Sequence, residues 1–145
     1  KILIDILRNI SEFQKITLMF QKEVAQRIIA LPGSHSYGRL SILTQLLTKP
    51  RILFDVPKEA FTPKPKVIST VIELEPKISI NKSKFNNIEK TTQIAFSKRR
   101  KMLRTIFKDY GGETMLNKIG LCPKKRPENL TIQEFCKLSD ALFLN

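Results

Sequence analysis

Basic and apolar residues alternate with helical spacing between Lys98 and Tyr110, in a pattern that could bind a polyanion. At about 100° per residue, the apolar side chains share one side of a predicted helix, namely Met102, Leu103, Ile106, Phe107 and Tyr110. The other side carries Arg100, Lys101, Arg104 and Lys108, with Lys98 at the start of the same segment. Because such cations pair with phosphates, we predict that they contact RNA or DNA. A solvated surface of a lysine-rich protein is the structural alternative.

Arg99 differs from its basic neighbours because it projects toward the apolar side of that helix. A structural role is therefore favoured over a phosphate contact, and Glu128 is one candidate partner. His35 lies in a loop and is predicted to face solvent.

A proline-rich stretch places one aromatic residue beside two lysines. Pro57, Pro63 and Pro65 restrict the backbone on both sides of Phe61. Lys64 and Lys66 follow, so the stretch could stack a nucleobase on Phe61 and contact its phosphates. The alternative is that Phe61 is a core residue and the prolines end strands.

Other chemistries lack the residues they need. The chain has two cysteines, Cys122 and Cys136, and one histidine, too few soft ligands for a zinc site. No serine or cysteine has a credible histidine base, which argues against hydrolysis. The five glycines form no G-x-G-x-x-G turn. We therefore expect no metal, and no cofactor-binding residues within this chain.

Charge is strongly positive and uneven along the 145 residues. Lysine and arginine total 26 against 13 acidic residues, giving +13 and a pI near 10.0. The segment from Lys82 to Arg126 alone holds 13 basic and three acidic residues, or +10. Such a charge indicates a polyanionic partner. No apolar run reaches the ~18 residues of a membrane span and no signal peptide is evident, so we expect no membrane partner and a cytoplasmic location.

The elements that would position these residues fall into two predicted units, residues 1–80 and 81–145. The first alternates helices with strand candidates at Ile16–Phe20, Ile52–Val56 and Val67–Glu75, and the Ile16 run suits a buried parallel strand. Pro50 is expected to end the helix before the second strand. Every periodic stretch of the second unit predicts helix. The fold class is therefore α/β plus all-α, an incomplete α/β sheet followed by a small helical bundle. Thr131 and Glu134 form a capping box for the last helix.

Five blocks in order resemble the ribosomal RNA adenine dimethyltransferase family. They are Phe20-Gln21-Lys22-Glu23-Val24-Ala25-Gln26-Arg27, Tyr37-Gly38-Arg39-Leu40-Ser41, Phe61 with Pro63, Pro65, Lys66 and Val67, Ala95-Phe96 followed by Arg99-Arg100-Lys101, and Arg126-Pro127-Glu128-Asn129-Leu130. The resemblance spans essentially the whole chain. It implies that residues 1–80 are the carboxy-terminal half of a Rossmann-like methyltransferase domain, a partial sheet of that kind, and that residues 81–145 are a helical rRNA-binding domain. The last block favours the small-subunit RNA branch over the large-subunit RNA methyltransferases and the mitochondrial transcription-factor branch, which share the fold and the Phe61 loop.

The resemblance implies an enzyme that methylates the exocyclic amine of adenines in small-subunit rRNA with S-adenosylmethionine. It implies that Phe61 stacks on the flipped adenine. The family's cofactor-binding turn and catalytic motif would lie upstream of Lys1, so the chain resembles a carboxy-terminal fragment that is inactive alone and binds no S-adenosylmethionine. Its partner would be the rRNA of the small ribosomal subunit. A non-catalytic RNA- or DNA-binding module and a large-subunit rRNA methyltransferase are the alternatives.

Overall fold

The computed structural model describes residues 1–77 and 81–144. These residues form α-helices that we number α1 (Ile2–Arg8), α2 (Lys22–Ile29), α3 (Arg39–Leu47), α4 (Lys82–Ser97), α5 (Leu103–Ile106), α6 (Gly112–Lys118) and α7 (Ile132–Phe143). The strands are β1 (Ile16–Gln21), β2 (Thr48–Val56) and β3 (Ser69–Pro76). Short 3-10 turns occupy Ile10–Glu12, Lys58–Ala60, Lys108–Tyr110 and Pro127–Asn129. The predicted fold class, an α/β part followed by helices, is confirmed.

The three strands form an antiparallel sheet in the order β1-β3-β2. Within the described residues, β1 pairs with β3, which runs in the opposite direction, so the parallel arrangement suggested by its apolar run is not what is found. A short apolar run predicts burial but not strand direction, because direction depends on the partner. The end of α3 also differs from the prediction that Pro50 ends this helix. The helix ends at Leu47, and Pro50 lies inside β2, an edge strand of the described sheet, where its missing N–H is tolerated.

One face of the sheet is buried against α2 and α3. Ile16, Ile72 and Leu74 point into this first core, where they join residues of the two helices, Ala25, Ile28, Leu43 and Leu47. Alternate residues of each strand point the other way, because side chains in a strand have a period of two. Met19, Val71 and Phe54 are cross-strand neighbours on this second face, and Met19 and Phe54 are 50% and 57% exposed. A register shift between Ile52 and Phe54 interrupts the pairing of β2 with β3.

The helices from α4 onward enclose a second core. Its largest fully buried side chains include Phe107 and Phe135, and the rings of Phe96 and Phe135 stack with centroids 5.9 Å apart. Each core crosses the predicted boundary between residues 80 and 81. Phe85 and Ile88 of α4 belong to the first core, whereas Tyr37 and Ile42 belong to the second. The division into two domains remains a prediction, and residues 78–80 and 145 lie outside the described residues.

The start of α7 is built as predicted. The Thr131 hydroxyl accepts a hydrogen bond from the Glu134 N–H at 3.1 Å, and the Glu134 carboxylate accepts one from the Thr131 N–H at 2.9 Å. Lys125 Nζ also reaches Glu134 Oε1 at 2.8 Å. Partial burial raises the pKa of Glu134, but the hydrogen bonds from Lys125 and Thr131 outweigh it and lower the pKa overall. The carboxylate is therefore charged at neutral pH and fixes the helix start.

Tyr37, in the loop before α3, makes a hydrogen bond to Leu130, the residue that precedes the N-cap of α7. Its side chain is buried, and its hydroxyl donates a hydrogen bond to the Leu130 carbonyl oxygen at 2.8 Å. Burial raises the pKa of Tyr37 far above its ordinary value, and the Glu134 carboxylate adds to the rise. The hydroxyl therefore stays protonated at neutral pH and donates to the buried Leu130 carbonyl, for which the described residues provide no other donor.

We predict that Tyr37→Phe lowers the free energy of unfolding by about 1–3 kcal/mol, because it leaves the Leu130 carbonyl unpaired in the core. For a chain of this size the thermal midpoint should fall by about 2–4 °C per kcal/mol. Circular dichroism melts measure this. Tyr110→Phe is the matched control, since Tyr110 is 45% exposed and the described structure gives its hydroxyl no hydrogen bond. Equal midpoints for the two variants would refute the role of the Tyr37 hydroxyl.

Candidate nucleic-acid interface

The Phe61 loop, which we define as residues 57–68, joins β2 to β3. It begins with the 3-10 turn Lys58–Ala60, in which the Ala60 N–H donates to the Pro57 carbonyl at 3.1 Å. Phe61 follows in extended conformation, and its N–H donates to the Lys58 carbonyl at 3.3 Å. The ring is half-buried, so Phe61 is outside both cores yet not freely exposed. An aromatic residue held by the backbone but partly accessible suits stacking, and Phe61 belongs to neither of the two cores formed by the described residues.

The two lysines of the Phe61 loop have different surroundings. Lys64 Nζ lies 2.9 Å from Glu59 Oε1, and both side chains are mostly exposed. The hydrogen bond from Lys64 lowers the pKa of the Glu59 carboxyl. Lys66 is exposed and makes no ion pair with any residue the structure describes. Since an exposed ion pair contributes little, a phosphate could displace Glu59 from Lys64.

The junction of β1 and α2 lies against the end of the Phe61 loop. The Lys22 N–H donates to the Ile68 carbonyl at 2.9 Å, and Lys22 Nζ lies 2.8 Å from Asp55 Oδ2. Asp55 Oδ1 accepts from the Thr70 hydroxyl at 2.7 Å. These hydrogen bonds, that of Lys22 first, hold the pKa of the Asp55 carboxyl below its ordinary value. At this junction, Lys22 and Lys58 line a cavity of about 270 Å³ that was not predicted from the sequence.

The basic segment 98–108 does not form the single helix predicted for Lys98–Tyr110. The chain leaves α4 at Lys98, turns, and starts again as the four-residue α5 after an extended Met102. The reason lies in tertiary hydrogen bonds, since the N–H groups of Leu103 and Arg104 donate to the carbonyls of Lys125 and Pro123 at 2.8 and 3.1 Å. A partner distant in sequence thus overrides the local period.

The cationic and apolar side chains of this segment remain separated despite the break in the helix. Leu103, Ile106 and Phe107 are buried, whereas Met102 and Tyr110 are 37% and 45% exposed. All five predicted cations are exposed: Lys98, Arg100, Lys101, Arg104 and Lys108. Among them, Arg104 has an acidic neighbour in the described structure, with its guanidinium 3.8 Å from Glu113. The remaining four carry their charge unneutralised.

Arg99 is held by a backbone oxygen rather than by the carboxylate suggested from the sequence. Its guanidinium donates to the carbonyl of His35, whose side chain is exposed. Glu128 instead accepts the Gly33 N–H with its main-chain oxygen at 2.6 Å. The hydrogen bond of Arg99 joins the end of α4 to the loop before α3, and Arg99 remains exposed.

Sequence reasoning missed a second group of cations. Arg27, Arg39 and Arg99 line a cavity of about 410 Å³ where the end of α2, the start of α3 and the end of α4 meet. Arg27 pairs with Glu23 at 2.6 Å, while Arg39 has no ion pair among the described residues. Arg27 and Arg39 stand in two of the blocks that carried the family resemblance, which was the available signal. Nothing in the sequence showed that the blocks meet in space.

Among the described ranges 1–77 and 81–144, no three histidine, cysteine, aspartate or glutamate residues cluster in a way that could hold a metal ion. In the same ranges no helix is long and apolar enough to cross a bilayer. The described surface carries exposed cations on the segment 98–108 and, on the Phe61 loop, a partly accessible aromatic ring.

The sequence model of the family described as ribosomal RNA adenine dimethylase matches residues 1–143. This chain belongs to that family. The ribosomal RNA small subunit methyltransferase A of Mesorhizobium japonicum is 48% identical over 130 residues, covering 90% of this dimethylase-family chain and 47% of that protein. That of Sinorhizobium medicae is 51% identical over 131 residues. The chain therefore spans about half the length of these curated relatives, and the family resemblance of the five blocks is confirmed.

Solved structures agree with the family assignment. A dimethyladenosine transferase from Plasmodium falciparum superposes with a TM-score of 0.76 at 30% identity, covering 94% of this chain and 60% of that one. The 23S rRNA methyltransferase ErmE superposes with a TM-score of 0.60 at 18% identity, covering 97% of this chain and 59% of that one. The second likeness shows the fold alone. The antiparallel sheet and the following helices are therefore an arrangement found in methyltransferases.

We predict that Asp55→Asn destabilises the chain at pH 7 and that the difference from the unaltered chain shrinks as the pH falls from about 5 to about 2. A carboxyl whose folded-state pKa is lowered contributes stability above its unfolded pKa, near 3.9, and loses it as the pH drops through the folded-state value. Urea unfolding across that pH range measures the difference. Asp109→Asn is the control, because Asp109 is exposed and has no ion pair within the described structure. A pH-independent difference at Asp55 would contradict the Lys22 interaction.

Proposed function

We propose that this chain is the carboxy-terminal part of a small-subunit rRNA adenine dimethyltransferase. The complete enzyme would transfer methyl groups from S-adenosylmethionine to the exocyclic amines of adenines, a step of ribosome biogenesis in the cytoplasm. The identity of 48% over 130 residues with a protein named as small-subunit methyltransferase A carries this proposal. The partner is then the rRNA of the small ribosomal subunit, and the cationic surface described above supports it.

The residues of this chain do not fit S-adenosylmethionine. A nucleotide-type cofactor needs a Gly-rich turn between a strand and a helix, so that the backbone can approach it closely. Here β1 ends at Gln21 and α2 begins at Lys22, with no turn between them. We propose that the rest of the complete enzyme binds the cofactor, and that this chain alone neither binds it nor transfers methyl groups.

Phe61 is proposed to stack on the adenine that leaves the RNA helix. An enzyme that acts on a base must take it out of the stack, and an aromatic face offsets part of the energy of unstacking. The half-buried ring between three prolines is suited to this, because the loop backbone is already restricted before the base arrives. The adenine amine has its lone pair delocalised into the ring, so orientation, rather than a strong base, is the contribution expected from Phe61.

The exposed cations are proposed to hold the RNA backbone. Lys98, Arg100, Lys101 and Lys108 carry no ion pair within the described structure, so their charges are available to phosphates. Arg104 and, on the Phe61 loop, Lys64 must release an acidic neighbour, whereas Lys66 is free of ion pairs among the described residues. Phosphate contacts of this kind set affinity and position without reading sequence.

We predict that changing Arg100, Lys101, Arg104 and Lys108 together to glutamine weakens binding of the chain to structured small-subunit rRNA. For each phosphate that is no longer neutralised, the slope of log K against log salt should decrease in magnitude by about 0.9 on a duplex. Filter binding or anisotropy at several salt concentrations measures the slope. The control removes four exposed lysines elsewhere: Lys49, Lys77, Lys82 and Lys90. If both variants change the slope equally, net charge alone is responsible and the cationic segment has no special role.

We predict that Phe61→Ala in the complete enzyme reduces single-turnover methylation by about 5-fold to about 160-fold, because base stacking contributes about 1–3 kcal/mol. RNA affinity and thermal midpoint should change little, since the ring is outside both cores and phosphates dominate affinity. Phe61→Trp should retain most turnover, because it keeps an aromatic face.

The matched control is Phe54→Ala, which removes a 57% exposed phenylalanine from the neighbouring strand β2. A core role for Phe61 predicts a different result, a loss of about 3–5 kcal/mol in stability with normal turnover per folded molecule. RNA binding without any methyl transfer by the complete protein would instead support the non-catalytic binding module.

A further inference from the structure

An open groove of about 730 Å³ lies between α6 and α7, and its described lining includes none of the residues assigned to the RNA above. Its walls come from the two helices and from the residues that follow each of them. Met115 and Ile119 form part of the lining on one side, and Ala141 and Leu144 on the other. The volume is that of a ligand or peptide site, but the groove is open along the surface and resembles a docking surface more than an enclosed pocket.

The floor of the groove is an outward extension of the second core. Met115 and Ile119 are partly buried and pack against that core, so their positions are fixed by it. Leu144, in contrast, is 67% exposed. Aliphatic side chains held on a rigid base and left accessible to water favour a partner that can cover them.

The charges around the groove indicate the sign of the charge that the partner would carry. Lys118, at the end of α6, and Lys137, on α7, are exposed and have no ion pair within the described structure. Asp140 is the one acidic residue of the described lining. Unpaired lysines beside an aliphatic floor are complementary to acidic residues flanking an apolar stripe.

We propose that this groove docks an acidic amphipathic helix of another protein. Such a helix would place aliphatic side chains at i, i+3, i+4 and i+7 over Met115, Ile119 and Leu144 while its flanking carboxylates face Lys118 and Lys137. RNA fits less well, because no described residue of the lining is aromatic and a bare phosphate chain would leave the aliphatic floor uncovered. The proposal is independent of the methyltransferase activity.

The test uses fluorescein-labelled synthetic peptides of about 15 residues, long enough for a helix, and anisotropy titrations with the 145-residue chain. One peptide carries leucines at the spacing above with flanking glutamates, and its twin carries lysines in place of the glutamates. The acidic peptide should bind saturably. Lys118→Glu combined with Lys137→Glu should weaken binding of the acidic peptide at least about tenfold. The same change should promote binding of the lysine twin, because the charges are then reversed.

A further variant tests the contribution of the apolar floor separately from that of Lys118 and Lys137. Leu144→Glu places a charge at an exposed position and should weaken the acidic peptide without lowering the thermal midpoint. Lys90→Glu combined with Lys124→Glu, two exposed lysines outside the groove lining, is the control for net charge. Absence of saturable binding, or equal weakening by the control, would overturn the proposal. So would a fall in rRNA affinity rather than peptide affinity on reversal of Lys118 and Lys137, because the groove would then belong to the RNA interface.

Discussion

The arrangement of the whole structure depends on apolar side chains that cross between its two cores. Phe85 and Ile88 extend from α4 into the core beneath the sheet, and Tyr37 and Ile42 extend from the α/β part into the core of the helices. Because each core is incomplete without residues from the other part, the Phe61 loop and the cationic segment are fixed to one structure. The proposed binding of one RNA at several points would gain from this, since less ordering is required on binding.

The cations of the chain fall into two classes that net charge alone does not distinguish. Lys22 is part of the fold, because its backbone and side chain join the start of α2 to Ile68 at the end of the Phe61 loop and to Asp55 of β2. Arg99 is similarly engaged with a main-chain oxygen. Arg100, Lys101 and Lys108 have no such partner in the described structure, and their repulsion is tolerated because they are exposed to water and screened by salt. Their positions are therefore better explained by the proposed RNA recognition than by folding.

Features encoded locally could be predicted from the sequence, and those that depend on distant partners could not. The Thr131–Glu134 capping box needs only residues three apart, so its pattern predicted its structure. The break after Lys98 depends on carbonyls about twenty residues away, and no local period shows it. The arginine cavity likewise requires three segments to meet. Helix and strand periodicity predicted the fold class, while the roles of Phe61 and the cations remain predictions.

The register shift between Ile52 and Phe54 has a consequence for the chain's behaviour at high concentration. Strand β2 is an edge of the described sheet, and three consecutive apolar residues, Ile52, Leu53 and Phe54, are at least 37% exposed there. A flat edge of that composition would template pairing with a neighbouring molecule. The register shift interrupts the regular pairing of β2 at these residues, and such an irregularity makes edge-to-edge pairing with a neighbouring molecule less favourable.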